Sequence, residues 1–439
     1  MAAKAKKKAA TKSKTSRAKS GSKPRATSKA KAGAKTGSRA GGKAKLKTKP
    51  KARAKTKAAA KAPAKKKAAA KKPAKKAAAS KAGASKSPRR SVVVTTRSDR
   101  RRAPLRPAPI PKGKMLSRDF LEKLAKTIRD AVRPVIEQEK GRDVVGIAAS
   151  GDATFQLDKI AEKALMTHLR DEKATVAYYS EDSGYTTFAS GQPTNLLIVD
   201  PIDGTRAAKL GFESCVVAVA STRIIERPSL GHIDNACVFE LLGNRSFYAE
   251  RGKGTRMYID GQYKKPRLSK NTDLESMTWS MTVPARPAEL IFPTAAKLID
   301  LSSLKGGFFA CNSTSYSLTR LLTNQLDATV DFANRYLRDL GEIVDDHFIN
   351  AGRGAQLGVA PYDIAASLLI AEEAGCVVTD AYGDSLENVL ALDSSTANQQ
   401  SVIAAANKEL HEKLMSFFST RIAQFERLLE RRAELTKKG

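Results

Sequence analysis

The 439-residue chain carries 79 basic and 44 acidic residues, a formal net charge of +35. It has no apolar run near the roughly 20 residues that a membrane-spanning helix needs, and its four cysteines form no Cys-x-x-Cys pair. This composition argues against a membrane protein or a disulfide scaffold, and it favours a cytoplasmic protein whose thiols stay reduced.

The excess of positive over negative charge is confined to the first quarter of the chain. Residues 1–114 contain 41 of the basic residues and one acidic residue, Asp99, which leaves 38 basic and 43 acidic residues for the remainder. No aromatic residue occurs before Phe120. Because such a segment can bury little apolar surface, we predict a disordered basic tail and linker over 1–114.

Beyond the tail, apolar spacing predicts alternating helices and strands, which is typical of stacked α and β layers. The first helix follows Ser117, a good N-cap residue, and a second helix begins near Thr154. The other predicted elements are strands at 175–179, 195–199, 215–222 and 236–241, a hairpin at 246–261, helices at 315–323 and 365–374, strands at 328–332 and 377–379, and a helix at 410–435.

Two carboxylates, Asp200 and Asp203, stand three residues apart directly after the apolar run 196–199. Two like charges 4 Å apart repel by about 4 kcal/mol at an effective dielectric of 20, and a cation between them removes that cost. Glu181 follows another predicted strand, and Asp363 stands at a predicted helix start. Each residue alone fits a turn, a helix cap or ordinary surface, but oxygen donors without His or Cys favour Mg²⁺.

These segments resemble the inositol monophosphatase and fructose-1,6-bisphosphatase superfamily, and the resemblance covers most of residues 116–410. Asp-Pro-Ile-Asp-Gly-Thr at 200–205 is that family's first signature. Tyr362-Asp363-Ile364-Ala365-Ala366, followed by Glu373-Ala374-Gly375, is similar to the second signature, with Tyr in place of Trp. The segment 150–162 most resembles the archaeal-type members that act on both inositol phosphate and fructose bisphosphate.

The resemblance implies an α/β fold of the inositol monophosphatase type, a layered αβαβα sandwich with two subdomains. We place an N-terminal α+β metal-binding subdomain at 115–265 and a C-terminal α/β subdomain at 266–412. A C-terminal amphipathic helix over 413–439 offers a packing or dimer surface. The resemblance further implies a homodimer and inhibition by Li⁺.

The same resemblance implies two or three Mg²⁺ ions per site. Glu181, Asp200 and the Ile202 carbonyl would bind one ion. Asp200 would bridge to a second ion, held also by Asp203 and Asp363. Metal-activated water, oriented by Glu181, would then cleave the ester without a covalent intermediate.

Further roles are implied for the residues around this ligand set. Thr205 would orient the water and pass a proton to Asp158, although Asp158 also suits a helix start. Asp203 and the N–H groups of Gly204 and Thr205 would face the substrate. Arg335 is our choice for binding a distal phosphate, and the alternative is that residues 332–360 form a surface insertion.

Three functions are therefore considered. The first is a Mg²⁺-dependent phosphomonoesterase that hydrolyses inositol monophosphate, fructose-1,6-bisphosphate or both. The second is a 3′(2′),5′-bisphosphate nucleotidase of the same superfamily. The third is a nucleoid-associated DNA-binding protein with a vestigial phosphatase fold, which the intact signature residues argue against.

The tail resembles the Lys/Ala/Pro-rich tails of linker histones, and we expect it to bind nucleic acid or another polyanion through residues 1–112. Lysines neutralise phosphates and release counterions without reading sequence. A tail that only solubilises the protein is the alternative. If the tail binds nucleic acid, we expect the protein in the cytoplasm or at the nucleoid. The tail residues singled out are Lys71, Lys72, Lys75, Lys76, Arg89 and Arg90.

Overall fold

The computed structural model describes most of the chain beyond residue 112. The described residues all fall within one compact unit, Val92–Gly439. The tail residues 1–112, including the six basic residues singled out above, lie outside the described part. The described ranges are 113–137, 144–147, 153–188 and 191–438.

Fifteen strands in the described residues form three sheets. Most are short runs rich in β-branched and aromatic residues, which pack well on a pleated surface. The strands are β1 Val144–Ile147, β2 Ala153–Phe155, β3 Val176–Ser180, β4 Gly184–Thr187, β5 Asn195–Asp203, β6 Val216–Thr222, β7 Asn235–Glu240, β8 Arg245–Glu250, β9 Thr255–Ile259, β10 Gln262–Lys264, β11 Thr278–Thr282, β12 Gly307–Cys311, β13 Ala328–Asp331, β14 Val377–Thr379 and β15 Val402–Ala405.

The largest sheet has eight strands in the order β10-β9-β8-β7-β6-β5-β3-β4. Within it, β3 and β5 pair in parallel, and the other neighbours pair antiparallel. The second sheet has five strands in the order β12-β11-β13-β15-β14, and β11 is parallel to both of its neighbours. β1 and β2 form a separate antiparallel pair.

Nine α-helices occur in the described residues, and most of them cover the sheets. The first helix begins as predicted, because the Phe120 N–H donates to Ser117 Oγ at 3.2 Å. The helices are α1 Arg118–Glu137, α2 Gln156–Asp171, α3 Thr205–Ala208, α4 Ala288–Ser302, α5 Thr314–Leu322, α6 Ala333–Leu340, α7 Asp345–Ala351, α8 Pro361–Ala374 and α9 Lys408–Lys438.

Each face of the two larger sheets packs into a different core. On β5, Leu197 and Val199 join α1 and α2, whereas Ile198 joins the core shared with α5 and α8. On β15, Ala404 joins that same central core, whereas Ile403 packs with α4, α6 and α9. This alternation follows from the two-residue period of a strand. The resulting order of helices and sheets confirms the predicted αβαβα layering.

α8 comes from the C-terminal half of the chain but packs on the eight-stranded sheet, against β5 to β8. At its end, the Glu373 carboxylate accepts hydrogen bonds from the Gly252 and Gly254 N–H groups, at 2.6 and 2.8 Å. This contact fastens the helix to the β8–β9 turn. Asp363, in the first turn of α8, is thereby carried to the sheet that holds Asp200.

The C-terminal helix begins at Lys408, and four apolar residues along it are buried in the outer core. Its apolar stripe therefore packs within the chain rather than standing free for a partner. The subdomain boundary at 265 stays a prediction, because α5 and α8 join the cores of both sheets. None of the helices in the described part of the chain combines the length and hydropathy of a bilayer span. The four buried residues are Leu410, Leu414, Phe418 and Ile422.

Candidate active site

The signature turn lies at the carboxyl end of β5. The strand continues through Asp203, and its register is irregular between Asp200 and Asp203. Asp200 Oδ1 accepts a hydrogen bond from the Ile202 N–H at 3.1 Å, which fixes the first carboxylate against its own turn. Asp200 is 2% exposed and Asp203 is 6% exposed. The two side chains predicted to work together are therefore both buried.

The electrostatics of this pair are unfavourable without a cation. Burial, followed by the negative charges of Asp203, Glu181 and Asp363, raises the pKa of Asp200 well above its usual range. Burial also raises the pKa of Asp203 to about 6, although hydrogen bonds from Ser315 oppose the rise. No described Lys, Arg or His forms an ion pair with Asp200 or Asp203. Such a pair is a natural ligand set for a divalent cation.

Glu181 reaches the pair from the neighbouring strand. β3 and β5 are parallel, and Ser180 pairs with Val199, so Glu181 follows at the level of Asp200. Neighbouring strands lie about 4.8 Å apart, which keeps the two carboxylates within electrostatic reach of each other. The structure thus brings together the residues that sequence spacing alone left 19 positions apart.

Glu162 on α2 stabilises the turn that carries Glu181. Glu162 is 8% exposed, and its Oε1 accepts a hydrogen bond from Ser180 Oγ at 2.9 Å. Ser180 Oγ in turn accepts from the Ser183 N–H at 3.3 Å. Burial raises the pKa of Glu162. Sequence reasoning gave Glu162 no role, because nothing local in the chain marks its contact with Ser180.

Asp203 and Asp363 are connected through the N-terminus of α5. The Ser315 N–H donates to Asp203 Oδ2 at 2.6 Å, and Ser315 Oγ donates to the Asp363 carbonyl at 2.7 Å. Ser313 caps the same helix by accepting from the Tyr316 N–H. Sequence reasoning missed Ser313 and Ser315, although a Ser-Thr-Ser run before a predicted helix is a typical capping signal.

Asp363 itself lies three positions into α8, where its Oδ2 accepts from the Ala360 N–H at 2.7 Å. Beside it, Tyr362 stands where the family signature has Trp. Its ring lies 6.3 Å from that of Tyr179 on β3, measured between centroids. The replacement therefore keeps an aromatic contact between α8 and the strand that precedes Glu181.

Gly204 allows the chain to leave the strand and begin α3. Its φ angle of +96° is one that other residues resist, and an added Cβ would lie 2.5 Å from the Ser214 carbonyl oxygen. The Thr205 Oγ1 that follows donates to the Ile202 carbonyl at 3.0 Å. That carbonyl has a second lone pair, so the contact leaves its predicted role as a ligand open.

Asp158 lies in the first turn of α2, where its Oδ2 accepts from the Phe155 N–H at 2.7 Å. This is the helix-start role that the sequence also suggested. Its role as proton acceptor from Thr205 stays a prediction.

Arg335 differs from its sequence-based prediction. It is 3% exposed, its Nη1 donates to the Ala381 carbonyl at 2.8 Å, and its Nε lies 3.4 Å from Asp339 Oδ2. Its guanidinium also lies 4.8 Å from the centre of the Tyr382 ring. A guanidinium enclosed in this way has no open face for a phosphate, and we leave Arg335 out of the site.

The donor set suits a hard cation, although its side chains are not arranged in a complete coordination geometry. Among the described residues, no group of three or more His, Cys, Asp or Glu side chains has metal-ligand geometry. The negative charges of Asp203, Glu181 and Asp363 nevertheless all raise the pKa of Asp200. Carboxylate and carbonyl oxygens without His or thiolate favour Mg²⁺ over zinc.

A model of the inositol monophosphatase family matches residues 117–423, which is more than half of the chain. The chain belongs to the inositol monophosphatase family. The match includes every carboxylate described above and begins after the basic tail. Inositol monophosphatase family members are generally metal-dependent, which agrees with the donor set at β5.

Two curated relatives are about a quarter identical to the chain over the aligned residues. A bifunctional NADP phosphatase/NAD kinase of Methanococcus maripaludis is 26% identical over 316 residues, covering 69% of this chain and 50% of that protein. A fructose-1,6-bisphosphatase/inositol-1-monophosphatase of Methanothermobacter thermautotrophicus is 26% identical over 299 residues, covering 67% and 93%. The chain thus spans half the length of the first relative. Both of these relatives are named as phosphatases, the class that the sequence of this chain predicts.

Two solved structures share the fold. An inositol monophosphatase–fructose 1,6-bisphosphatase has a TM-score of 0.52 at 21% identity, covering 69% of this chain and all of that one. The extragenic suppressor protein SuhB of Bartonella henselae has a TM-score of 0.52 at 19% identity, covering 68% and 97%. The predicted fold class is therefore confirmed.

Proposed function

We propose that the chain is a Mg²⁺-dependent phosphomonoesterase that acts on a small phosphorylated sugar or polyol. Inositol monophosphate and fructose-1,6-bisphosphate are the substrates we favour, because two relatives of this type carry those names. The observation that carries the proposal is the buried pair Asp200 and Asp203, which no described cation neutralises. Glu181 and Asp363 complete an oxygen-only set around that pair.

Two or three Mg²⁺ ions would be held by these oxygens, as the family resemblance implies. Glu181, Asp200 and the Ile202 carbonyl form one set, and Asp200, Asp203 and Asp363 form the other. Bound Mg²⁺ supplies Lewis acidity toward the phosphoryl oxygens and readies water for attack. The protein's part is to fix these donors, which the hydrogen bonds to Ile202, Ser315 and Ala360 do.

The remaining residues of the site would position water and move a proton. Glu181 orients the attacking water from the β3 side. The Thr205 hydroxyl, now donating to the Ile202 carbonyl, would turn toward that water and relay its proton to Asp158. The N–H groups of Gly204 and Thr205 would bind the phosphate, which Asp203 faces from the strand.

A nucleotide substrate is the second candidate, in the form of a 3′(2′),5′-bisphosphate nucleotidase. It is favoured by the relative from Methanococcus maripaludis, whose name includes an NADP phosphatase. A vestigial fold that only binds DNA is the third, and the intact carboxylate set argues against it.

Phosphate release by the full chain tests these alternatives. The panel contains inositol monophosphate, fructose-1,6-bisphosphate, adenosine 3′,5′-bisphosphate and NADP, each with Mg²⁺ and with a chelator. We expect Mg²⁺-dependent release from the sugar or polyol esters, and inhibition by Li⁺. Release from the two nucleotides alone supports the second candidate. Absence of release from every substrate overturns the enzymatic proposal.

We further propose that the basic tail binds nucleic acid without sequence preference. The support is its charge: 41 basic residues against one acidic residue over 1–114. Lys71, Lys72, Lys75, Lys76 and the Arg89-Arg90 pair are the contacts we favour. We propose in addition that the enzyme is a homodimer, as the family resemblance implies, and that it acts in the cytoplasm, at or near the nucleoid.

A further inference from the structure

A concentrated positive surface begins at β10, the edge strand of the eight-stranded sheet. Between residues 256 and 270 the chain has five basic residues and one acidic residue, Asp260, although the sequence beyond residue 114 has more acidic than basic residues overall. All five side chains are exposed. Within the described part of the chain, none of them forms an ion pair or a side-chain hydrogen bond. The five are Arg256, Lys264, Lys265, Arg267 and Lys270.

An exposed aromatic ring stands among these cations. Tyr263, in the edge strand β10, is 55% exposed. It pairs in register with Tyr258 of β9, and the two rings meet edge to face with centroids 5.9 Å apart. Tyr258 is held in turn by the Arg118 guanidinium, 4.3 Å from its ring centre. Tyr263 is thus positioned by the sheet while more than half of it stays open to solvent.

The backbone that presents the cations after β10 is fixed. The Arg267 N–H donates to the Leu322 carbonyl at 2.8 Å. Asn407 Nδ2 donates to the Ser269 and Asn271 carbonyls, at 3.3 and 2.9 Å. Residues 264–270 span at most about 20 Å when extended. Their cations are therefore set along a defined path rather than on a free loop.

We propose that this β9–β10 cationic surface, formed by Tyr263 and the five cations above, binds single-stranded nucleic acid. The cations would neutralise phosphates along the strand, and the Tyr263 ring would stack on one base. The exposed ring favours this partner over an acidic protein or a membrane, because base stacking uses a ring flanked by positive charge. Five strand spacings, about 24 Å, separate β10 from β5, so Tyr263 lies apart from the carboxylate site. Arg267 adjoins Leu322, at the opposite end of α5 from the Ser315 that contacts Asp203.

The charge contribution is tested in the full chain with labelled oligo-dT. The variant K264A/K265A/R267A/K270A is compared with the matched control K123A/K163A/R170A/K297A, which removes the same charge from exposed positions elsewhere. Each lost phosphate contact flattens the salt dependence of single-strand binding by about 0.7 in a log–log plot. We expect a slope flatter by about 2–3 for the first variant only. Equal slopes of oligo-dT affinity against salt concentration in the two variants overturn the proposal.

The stacking contribution is tested at Tyr263. We expect Y263A to weaken oligo-dT binding by about 5- to 100-fold and Y263F to retain it. Neither variant should change binding of inorganic polyphosphate, or phosphate release from a small ester. An unchanged oligo-dT affinity in Y263A contradicts the proposal. An equal loss for polyphosphate shows a general anion surface, and it contradicts the proposal as well.

Photocross-linking of oligo-dT to the full chain separates this surface from the basic tail. We expect cross-linked peptides from 256–270 in addition to any from 1–112. Cross-links confined to the tail overturn the surface while leaving the tail proposal intact. Cross-links confined to 256–270 support the surface and overturn the tail proposal.

Discussion

Gly204 meets two constraints at once, a positive φ angle and a close approach to the Ser214 carbonyl. In Gly204→Ala we expect the free energy of unfolding to fall by about 2–4 kcal/mol, because the strained angle alone costs roughly 1–3 kcal/mol. We also expect phosphate release to be lost, since the turn carries Asp203 and Thr205. Urea unfolding and a phosphate assay measure both effects.

Gly261→Ala is the matched control for this variant. Gly261 has a φ of +75°, but nothing lies within 4 Å of an added Cβ. Gly261→Ala should lower the free energy of unfolding by the cost of the positive φ angle alone, about 1 kcal/mol, and should keep full activity. Equal losses of stability in both variants would show that the contact with Ser214 has no role.

The Thr205 hydroxyl provides the second test at this scale. Thr205→Val keeps the shape but removes the group that donates to the Ile202 carbonyl. If that hydroxyl relays a proton, kcat should fall by about 10²-fold or more with little change in KM. Thr205→Ser should recover most of kcat. A Val variant with wild-type kcat would exclude the relay.

Single residues also show what the sequence can and cannot predict. Asp200 and Asp203 were predictable, because their spacing and the apolar strand before them are local features. Arg335 was predicted wrongly, because only tertiary packing decides whether a guanidinium meets solvent or is enclosed by Ala381, Asp339 and Tyr382.

At the scale of elements, the end of α8 has a partly buried acidic residue with consequences for stability. Burial raises the pKa of Glu372 to about 7; Arg251 opposes the rise, and Glu387 and Glu373 add to it. The folded protein therefore keeps a proton that the unfolded chain releases above about pH 4.5. Stability contributed by this group is fully present below about pH 4.5, is lost as the pH rises to about 7, and changes little above that, where both states are ionised.

We expect Glu372→Gln to remove this dependence. Between pH 5 and pH 8 the wild type should lose about 2–3 kcal/mol more unfolding free energy than the variant. Urea unfolding at the two pH values measures the difference, with the exposed Glu430→Gln as control. Identical pH dependence in the wild type and Glu372→Gln would show that Glu372 is ionised in the folded state without cost.

The positions of helices and strands were easier to predict than the contacts between them. Most predicted helices and strands appear close to their expected positions, because apolar periodicity is a local signal. The contacts of Ser315 with Asp203, and of Glu162 with Ser180, join residues from different elements and leave no trace in periodicity. The insertion at 332–360 forms α6 and α7, and Phe348 of α7 packs in the outer core.

At the scale of the whole molecule, the tail and the enzyme should be separable. Deleting residues 1–112 should lower affinity for duplex DNA by at least about tenfold at physiological salt, because the tail supplies most of the phosphate contacts. The kcat for a small ester should stay unchanged, since the described site uses no tail residue. Fluorescence anisotropy and phosphate release measure the two quantities. Undiminished DNA affinity in the shortened protein would mean that the tail only solubilises.

The claim that the carboxylates around β5 hold a divalent cation is tested most directly by calorimetric titration of Mg²⁺ into the full chain. The wild type should bind Mg²⁺, and Asp200→Asn should lose at least one site. Asp260→Asn, in the exposed β9–β10 turn, should bind like the wild type. A wild type that takes up no Mg²⁺, or an Asp200→Asn variant that binds it equally well, would contradict the account.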